Sequence, residues 1–95
     1  MVRVVIFRSN TEVIGYEIKG HSGFAEAGQD IVCAAVSVLT QTGANALEKV
    51  AGLQPEIQVE DGYLQVMLPE NLQESEREQA KTIFGTILVG LEEVA

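Results

Sequence analysis

The chain contains one cysteine and one histidine, and they lie close together in the sequence. His21 and Cys33 both fall within residues 20–37, which read GHSGFAEAGQDIVCAAVS. A cysteine thiolate is a strong nucleophile, and a neighbouring imidazole can take the thiol proton or pair with the thiolate. These two residue types therefore permit nucleophilic catalysis of acyl transfer, provided that the fold brings them within hydrogen-bond reach.

Three glycines surround His21 in the same segment. Gly20, Gly23 and Gly28 fall between the second predicted strand and the first predicted helix. Glycine-rich loops can flex and let the backbone approach a ligand closely. We therefore interpret this segment as a loop beside the candidate site, with its glycines as supporting or substrate-binding residues.

The helical pattern that carries Cys33 begins at Asp30, a residue type that caps helix N-termini well. Cys33 would then lie in the first turn, where the helix dipole favours the thiolate, although apolar neighbours and the Asp30 charge oppose it. Asp30, Cys33 and Ser37 have i, i+3, i+7 spacing, so they share one helix face. The first-turn amides would offer donors for an oxyanion.

Each of these residues also has a purely structural interpretation. A lone cysteine in an apolar helix is commonly a small buried hydrophobe, and Ser37 can be a helix-packing residue. A histidine beside glycine is commonly a turn or surface residue. A metal site made of His21, Glu26, Asp30 and Cys33 has little support, because nothing in their spacing marks a ligand set. We expect neither a metal nor a cofactor.

Length and composition limit the possible functions. The 95 residues leave room for one domain, residues 1–95, and the net charge is −8. Such a charge argues against sequence-independent nucleic-acid binding and favours a basic partner. A lone cysteine excludes an internal disulfide and suits a reducing cytosol. Because no stretch resembles a signal peptide or a membrane span, we expect a soluble cytoplasmic protein.

Hydrophobic periodicity predicts six elements. Alternation over residues 2–8 and 13–19 predicts one hairpin, and Asp61-Gly62 predicts the turn of a second hairpin over residues 57–68. The first helix follows from Asp30 and stops at Gly52. A capping box, Ser75-x-x-Glu78, predicts the start of the last helix, although Asn71 could cap one turn earlier. The order ββαββα indicates an α+β fold with two layers, both helices packing on a four-stranded sheet.

Two features favour a homodimer. Residues 31–39 are almost entirely apolar or small, and a helix that is apolar all round is buried on more than one side. Four strands and two helices also make a thin core for one chain of this length.

The run from Gly20 to Ser37 resembles the signature of the bacterial ribosomal-processing cysteine protease family. That signature has Gly-His near the second strand, a glycine-containing loop, and Asp-Ile-Val-Cys-Ala at a helix start, and this sequence shows the same histidine-to-cysteine spacing. The predicted element order and the length of the chain also fit this family, so the resemblance extends beyond the run to the whole chain. Ser22, Phe24 and Gln29 depart from the residues expected in the loop, but they remove no reactive group.

The resemblance implies a cysteine endopeptidase with Cys33 as nucleophile and His21 as general base and acid. Asp30 and Ser37 match recurrent positions of the motif, and the glycine loop would cover the bound substrate. The substrate implied is the N-terminal extension of the twenty-seventh protein of the large ribosomal subunit, and the implied assembly is a homodimer. The alternative function is a non-catalytic acidic dimer that binds a basic ribosomal protein during ribosome assembly.

Overall fold

Two β-hairpins, each followed by an α-helix, form the fold. The computed structural model describes residues 2–20 and 27–94, with the backbone alone for residues 27–30. The predicted ββαββα order is confirmed within these residues. The elements are β1 Arg3–Ser9, β2 Glu12–Lys19, α1 Ala27–Lys49, β3 Glu56–Glu60, β4 Tyr63–Met67 and α2 Glu74–Val94.

The four strands form one antiparallel sheet in the order β1-β2-β4-β3. The two hairpins therefore join through their second strands, and these strands carry the most buried alternating side chains. The buried positions on the central strands are Tyr16, Ile18, Leu64 and Val66. Successive side chains of a strand point to opposite faces of the sheet. Because the buried residues occupy alternate positions, they lie on one face, which is the core face of the sheet.

Tyr16 of β2 fixes both helices to that core face. Its hydroxyl donates a hydrogen bond to the Thr40 carbonyl of α1 at 2.5 Å. Its ring also meets the Phe84 ring of α2 edge to face, with centroids 5.8 Å apart. Since one side chain contacts both helices, they lie on the same side of the sheet, as predicted. Burial raises the pKa of Tyr16 well above its ordinary value, so the hydroxyl remains a donor.

Two glycines allow the helices to approach their neighbours closely. A Cβ atom on Gly43 would lie 2.7 Å from the Tyr16 hydroxyl oxygen and 3.0 Å from Cγ1 of Ile87. A Cβ atom on Gly90 would lie 2.8 Å from Cδ2 of Leu39. The distance between α1 and the two elements it packs against therefore depends on the absence of a side chain at position 43.

The start of α2 differs from the prediction. The helix begins at Glu74, and the Gln73 amide donates to Oε1 of Glu76 at 2.8 Å. Gln73 is thus the residue before the helix, and Glu76 is the glutamate that reaches back to satisfy an amide at the helix start. The predicted pair Ser75 and Glu78 is wrong by two residues, and Asn71 precedes the helix with φ 61° instead of capping it.

The apolar stripe of α2 faces the core as its periodicity predicts. Its buried residues are Ala80, Phe84 and Ile87. At the other helix, α1 ends at Lys49 and the chain turns through Gly52, which has φ 69°. Within residues 2–20 and 27–94, neither helix is long and apolar enough to cross a membrane.

We predict that Gly43→Ala destabilises the protein, because the added methyl group overlaps the Tyr16 hydroxyl and the Ile87 side chain. The expected loss is about 1–3 kcal/mol in the free energy of unfolding, measured by urea denaturation. Gly85→Ala is the matched control, since a Cβ there meets nothing within 4 Å. That variant should be more stable than wild type by about 0.5–1 kcal/mol, because alanine favours helix. Equal stability of the two variants would contradict close packing at Gly43.

Candidate active site

The structure describes part of the predicted site. His21 and Gly23 lie outside the described residues. Gly20 follows β2 with φ 83°, and its amide donates to the Gly62 carbonyl at 2.9 Å. Gly28 and Asp30 belong to α1 by their backbone, while Cys33 and Ser37 are described with their side chains.

The start of α1 corrects the prediction for Asp30. Residues 27–29 are already helical, so Asp30 lies inside α1 and is not the N-cap. Gly28 is likewise helical and does not belong to the loop before the helix. The hydrophobic pattern starts only at Ile31, so the sequence predicts a loop for residues 27–29, which are helical.

Cys33 consequently lies six residues beyond Ala27 and not in the first turn of α1. The amides of an α-helix that have no intrahelical acceptor are those at its N-terminal end. The effect of the helix dipole decreases within the first turn. The amides that can serve as donors therefore lie at least one turn of helix, about 5 Å, before Cys33.

The Cys33 thiol lies on the buried face of α1. It is free and only 8% exposed, and it shares that face with Val36 and Thr40. Ser37, one turn after Cys33, is half-buried. The burial of Cys33 fits both a small core residue and a shielded nucleophile, so packing alone does not distinguish these two interpretations.

A short hydrogen-bond chain links this part of α1 to the sheet. The Thr40 hydroxyl donates to the Val36 carbonyl at 2.9 Å and also approaches the Ser37 carbonyl at 3.3 Å. The Thr40 carbonyl in turn accepts the Tyr16 hydroxyl. The two turns of α1 that follow Cys33 are therefore held against β2 by polar contacts in the core.

The opposite face of α1 is apolar and exposed in the single chain, so burial of this helix on more than one side stays a prediction that depends on a dimer. Ile31 is 74% exposed and Val38 is 65% exposed. Together with Ala34, Gln41 and Asn45 they follow alternating steps of three and four residues, which places them on one stripe of the helix. We call these five residues the α1 stripe.

An apolar groove of about 470 Å³ lies beside the turn that carries Cys33. Val32 and Val36, on either side of Cys33 in the sequence, line it together with the edge strand β1 and the C-terminal end of α2. Arg8 and Glu92 are its charged members. The groove can receive an apolar side chain close to the thiol.

Three polar side chains brace the point where the chain leaves β2 toward His21. The Tyr63 hydroxyl donates to Oε1 of Glu17 at 2.7 Å, and Lys19 Nζ lies 3.8 Å from Oε2 of the same carboxylate. The hydrogen bond to the Glu17 carboxylate raises the pKa of Tyr63 above its ordinary value. Because Lys19 pairs with Tyr63 across the sheet, this cluster holds the last residue pair before Gly20.

Sequence reasoning missed the cluster of Glu17, Lys19 and Tyr63. These residues come from two different hairpins, and only the register between β2 and β4 places Tyr63 opposite Lys19 and diagonal to Glu17. No periodicity within a single segment indicates that register.

No group of three or more histidine, cysteine, aspartate or glutamate side chains that could hold a metal ion occurs in the described part of the chain. The alternative metal set includes His21 and Glu26, which lie outside that part.

The model of the family "Cysteine protease Prp" matches residues 1–95. The chain belongs to this cysteine protease family. It is 33% identical to the ribosomal processing cysteine protease Prp of Bacillus subtilis (strain 168) over 97 residues, covering 99% of this chain and 87% of that protein. The predicted family is thereby confirmed.

Two crystal structures of the essential ribosomal processing protease Prp from S. aureus are similar to this fold. One contains a substrate peptide and matches with a TM-score of 0.84 and 26% identity over 99% of this chain and 88% of that chain. The other contains a covalently linked product peptide and matches with a TM-score of 0.79 and 27% identity over the same shares of the two chains. The α+β fold and the assignment as a cysteine protease are therefore both confirmed.

We predict that Tyr63→Phe loosens the end of β2, because it removes the hydroxyl donor to Glu17 and keeps the ring. In the wild-type protein the Gly20 amide donates to the Gly62 carbonyl. In the variant this amide should exchange with solvent several times faster, as measured by NMR hydrogen exchange. Thr86→Val is the control, since Thr86 donates only within α2. Unchanged exchange at Gly20 in Tyr63→Phe would show that the cluster does not brace this strand end.

Proposed function

We propose that this chain is the endopeptidase that removes the N-terminal extension of the twenty-seventh protein of the large ribosomal subunit. The observation that carries the proposal is the family match over residues 1–95 combined with a free Cys33 on the helix that follows His21 in the sequence. The relatives in B. subtilis and S. aureus are described as ribosomal processing proteases, and one of the S. aureus structures holds a substrate peptide. These names support a ribosomal protein as the substrate class.

Cys33 and His21 form the proposed catalytic dyad. His21 accepts the proton from the Cys33 thiol, and the sulfur attacks the carbonyl carbon of the scissile peptide bond. His21 then gives that proton to the leaving amine as the carbon–nitrogen bond breaks, which leaves a thioester on Cys33. Water, deprotonated by His21, hydrolyses the thioester and regenerates the thiol. The covalently linked product peptide in the S. aureus relative supports a covalent step.

The oxyanion formed in this step needs donors, and amides without an intrahelical acceptor occur at the N-terminal end of a helix. The amide of Cys33 lies within the hydrogen-bonded part of α1, since residues 27–30 before it are already helical. We assign the oxyanion-binding role to the N-terminal end of α1. Asp30 and Ser37 are assigned supporting roles, and the glycines at 20, 23 and 28 are assigned to the segment that meets the substrate.

The shape and charge of the described surface fit an extended, basic and partly apolar substrate. The apolar groove beside Val32 and Val36 would take a side chain next to the scissile bond. The net charge of −8 would attract the basic tail of a ribosomal protein by long-range electrostatics. We place the reaction in the cytoplasm, whose reducing conditions keep a single catalytic thiol free.

Replacing Cys33 tests the proposal directly. The purified protein should cleave a ribosomal protein that carries the extension, and Cys33→Ala should reduce the cleavage rate below detection while the substrate still binds. His21→Ala should slow both cleavage and the alkylation of Cys33 by iodoacetamide near neutral pH, because the imidazole no longer takes the thiol proton. Rates are followed by mass spectrometry of the product and of the alkylated protein.

Cleavage that survives in Cys33→Ala would contradict the dyad. Binding of the extended substrate without any cleavage by wild type would support instead the non-catalytic acidic dimer. Circular dichroism of both variants provides the folding control, since Cys33 is buried and its replacement changes the core.

The protein is also proposed to be a homodimer that packs through the apolar residues of the α1 stripe, Ile31, Ala34 and Val38. Apolar side chains as exposed as Ile31 and Val38 lose contact with water when two copies of such a helix pack together. Their alternation of three and four residues is the spacing of helix pairs. Packing on this stripe would leave Cys33 free on the opposite face of the same helix, so each site keeps its own nucleophile.

We predict that Val38→Lys converts the dimer to a monomer, because it places a charge in the middle of the apolar interface. Sedimentation velocity measures the change in mass. Val50→Lys is the matched control, since Val50 is also exposed but follows the last residue of α1. A wild-type protein that sediments as a monomer, or a Val38→Lys variant that remains dimeric, would contradict this interface.

A further inference from the structure

The edge strand β3 has two faces of different chemistry. All five of its residues, Glu-Ile-Gln-Val-Glu, are exposed. Ile57 and Val59 pair with the buried Val66 and Leu64 of β4, so they point to the side of the sheet that carries the helices. Glu56 and Glu60 alternate with them and point to the other side. β3 therefore presents Ile57 and Val59, which we call the apolar row, on the side of the helices, and it presents Glu56 and Glu60 on the opposite side.

The side chains of the apolar row line an open groove between β3 and α1. Val59 is 69% exposed, although it is on the core side of the sheet. The groove has a volume of about 320 Å³, and one side of it is formed by the C-terminal half of α1. Its lining consists of Gln41, Ala44, Asn45, Ile57, Val59 and Leu64. Gln41 lies two turns of helix beyond Cys33, so this groove is separate from the one beside the thiol.

The backbone of β3 can also form hydrogen bonds on its outer side. In the described residues β3 pairs only with β4 and is the last strand of the sheet. Along such an edge, alternate amide and carbonyl groups point away from the sheet and can pair with another extended chain. An added strand would place its own alternate side chains into the groove and beside the two glutamates.

A second copy of the same strand does not fit this edge well. The sequence of β3 is nearly symmetric about Gln58, so antiparallel pairing of two copies there sets Glu56 of each copy opposite Glu60 of the other. Parallel pairing in register sets each glutamate beside itself. Like charges opposite each other destabilise a strand pair, whereas lysine or arginine at those positions would stabilise it.

We propose that the β3 edge and its groove form a docking site for an extended peptide segment in which apolar and basic residues alternate. The apolar side chains enter the groove at Val59 and Ala44, and the basic side chains lie against Glu56 and Glu60. The backbone adds a fifth strand to the sheet. This site binds a partner chain at a distance from Cys33, and its occupation does not require cleavage.

The test uses a fluorescein-labelled peptide, Lys-Val-Lys-Val-Lys-Val-Lys, with the intact protein. Fluorescence polarisation measures the Kd, and NMR identifies the backbone amides that shift. We expect saturable binding with shifts confined to β3, β4 and residues 41–45. Val59→Lys should raise the Kd by roughly tenfold or more, because it puts a like charge into the groove. Val89→Lys, which changes an equally apolar residue of 58% exposure on α2, should leave the Kd unchanged.

Charge reversal provides the second arm. The double variant Glu56→Lys with Glu60→Lys should lose the lysine peptide and bind Glu-Val-Glu-Val-Glu-Val-Glu instead. Equal weakening by Val59→Lys and Val89→Lys would overturn the proposal, since it would indicate unspecific attraction to the acidic surface. Equal binding of the block-ordered peptide Lys-Lys-Lys-Lys-Val-Val-Val would also overturn it. Conversion of a dimer to a monomer by Val59→Lys would also overturn the proposal, because it would show that a second copy of the chain occupies this edge.

Discussion

The hydrogen bond from the Tyr16 hydroxyl to the Thr40 carbonyl determines where α1 lies on the sheet. A tyrosine hydroxyl buried in an apolar core needs a partner, because leaving it unpaired costs about 1–3 kcal/mol. Here the partner is a backbone carbonyl, which already belongs to the helix ladder and cannot move without moving the helix. Gly43 makes room for the hydroxyl, and the Phe84 ring closes the space on the side of α2.

The placement of α1 has consequences for both of its faces. On the face toward the sheet it buries Cys33 two turns before the Tyr16 contact, next to a groove suited to an apolar side chain. On the opposite face it leaves Ile31 and Val38 exposed, which is the basis of the proposed dimer. The same helix separates the groove near the thiol from the groove along β3. The positions of the proposed nucleophile, of the proposed interface and of the proposed docking site are thus set by one helix.

Most of the fold could be predicted because its signals are local. The Asp61-Gly62 turn and the apolar period of α2 each come from a few neighbouring residues, and both were predicted correctly. The start of α1 was predicted too late because Ala27 to Asp30 carry no apolar periodicity, although they are helical. The capping residue of α2 was predicted two residues too far along for a related reason. Ser75 has the better capping side chain, but Gln73 is the residue that precedes the helix.

For the candidate site, the reactive residue types could be predicted from the sequence, but their surroundings in the fold could not. The spacing of His21 and Cys33 and the residues around them indicated the family, which the full-length match confirms. The bracing of β2 by Tyr63 and Glu17 could not be predicted, because it depends on the pairing of strands from different hairpins. The burial of Cys33 likewise depends on the angle of α1 over the sheet, which no short segment determines.

The central claim is that the Cys33 sulfur carries the acyl group of the cleaved peptide. Acid-quenched mixtures of the protein and an extended ribosomal protein, analysed by intact-mass and peptide-mapping mass spectrometry, test it most directly. The account predicts a transient mass increase equal to the N-terminal product less one water, located on the peptide that contains Cys33, and no such adduct in Cys33→Ala. Product formation without any adduct on Cys33 at any quench time, or an adduct located on another residue, would contradict it.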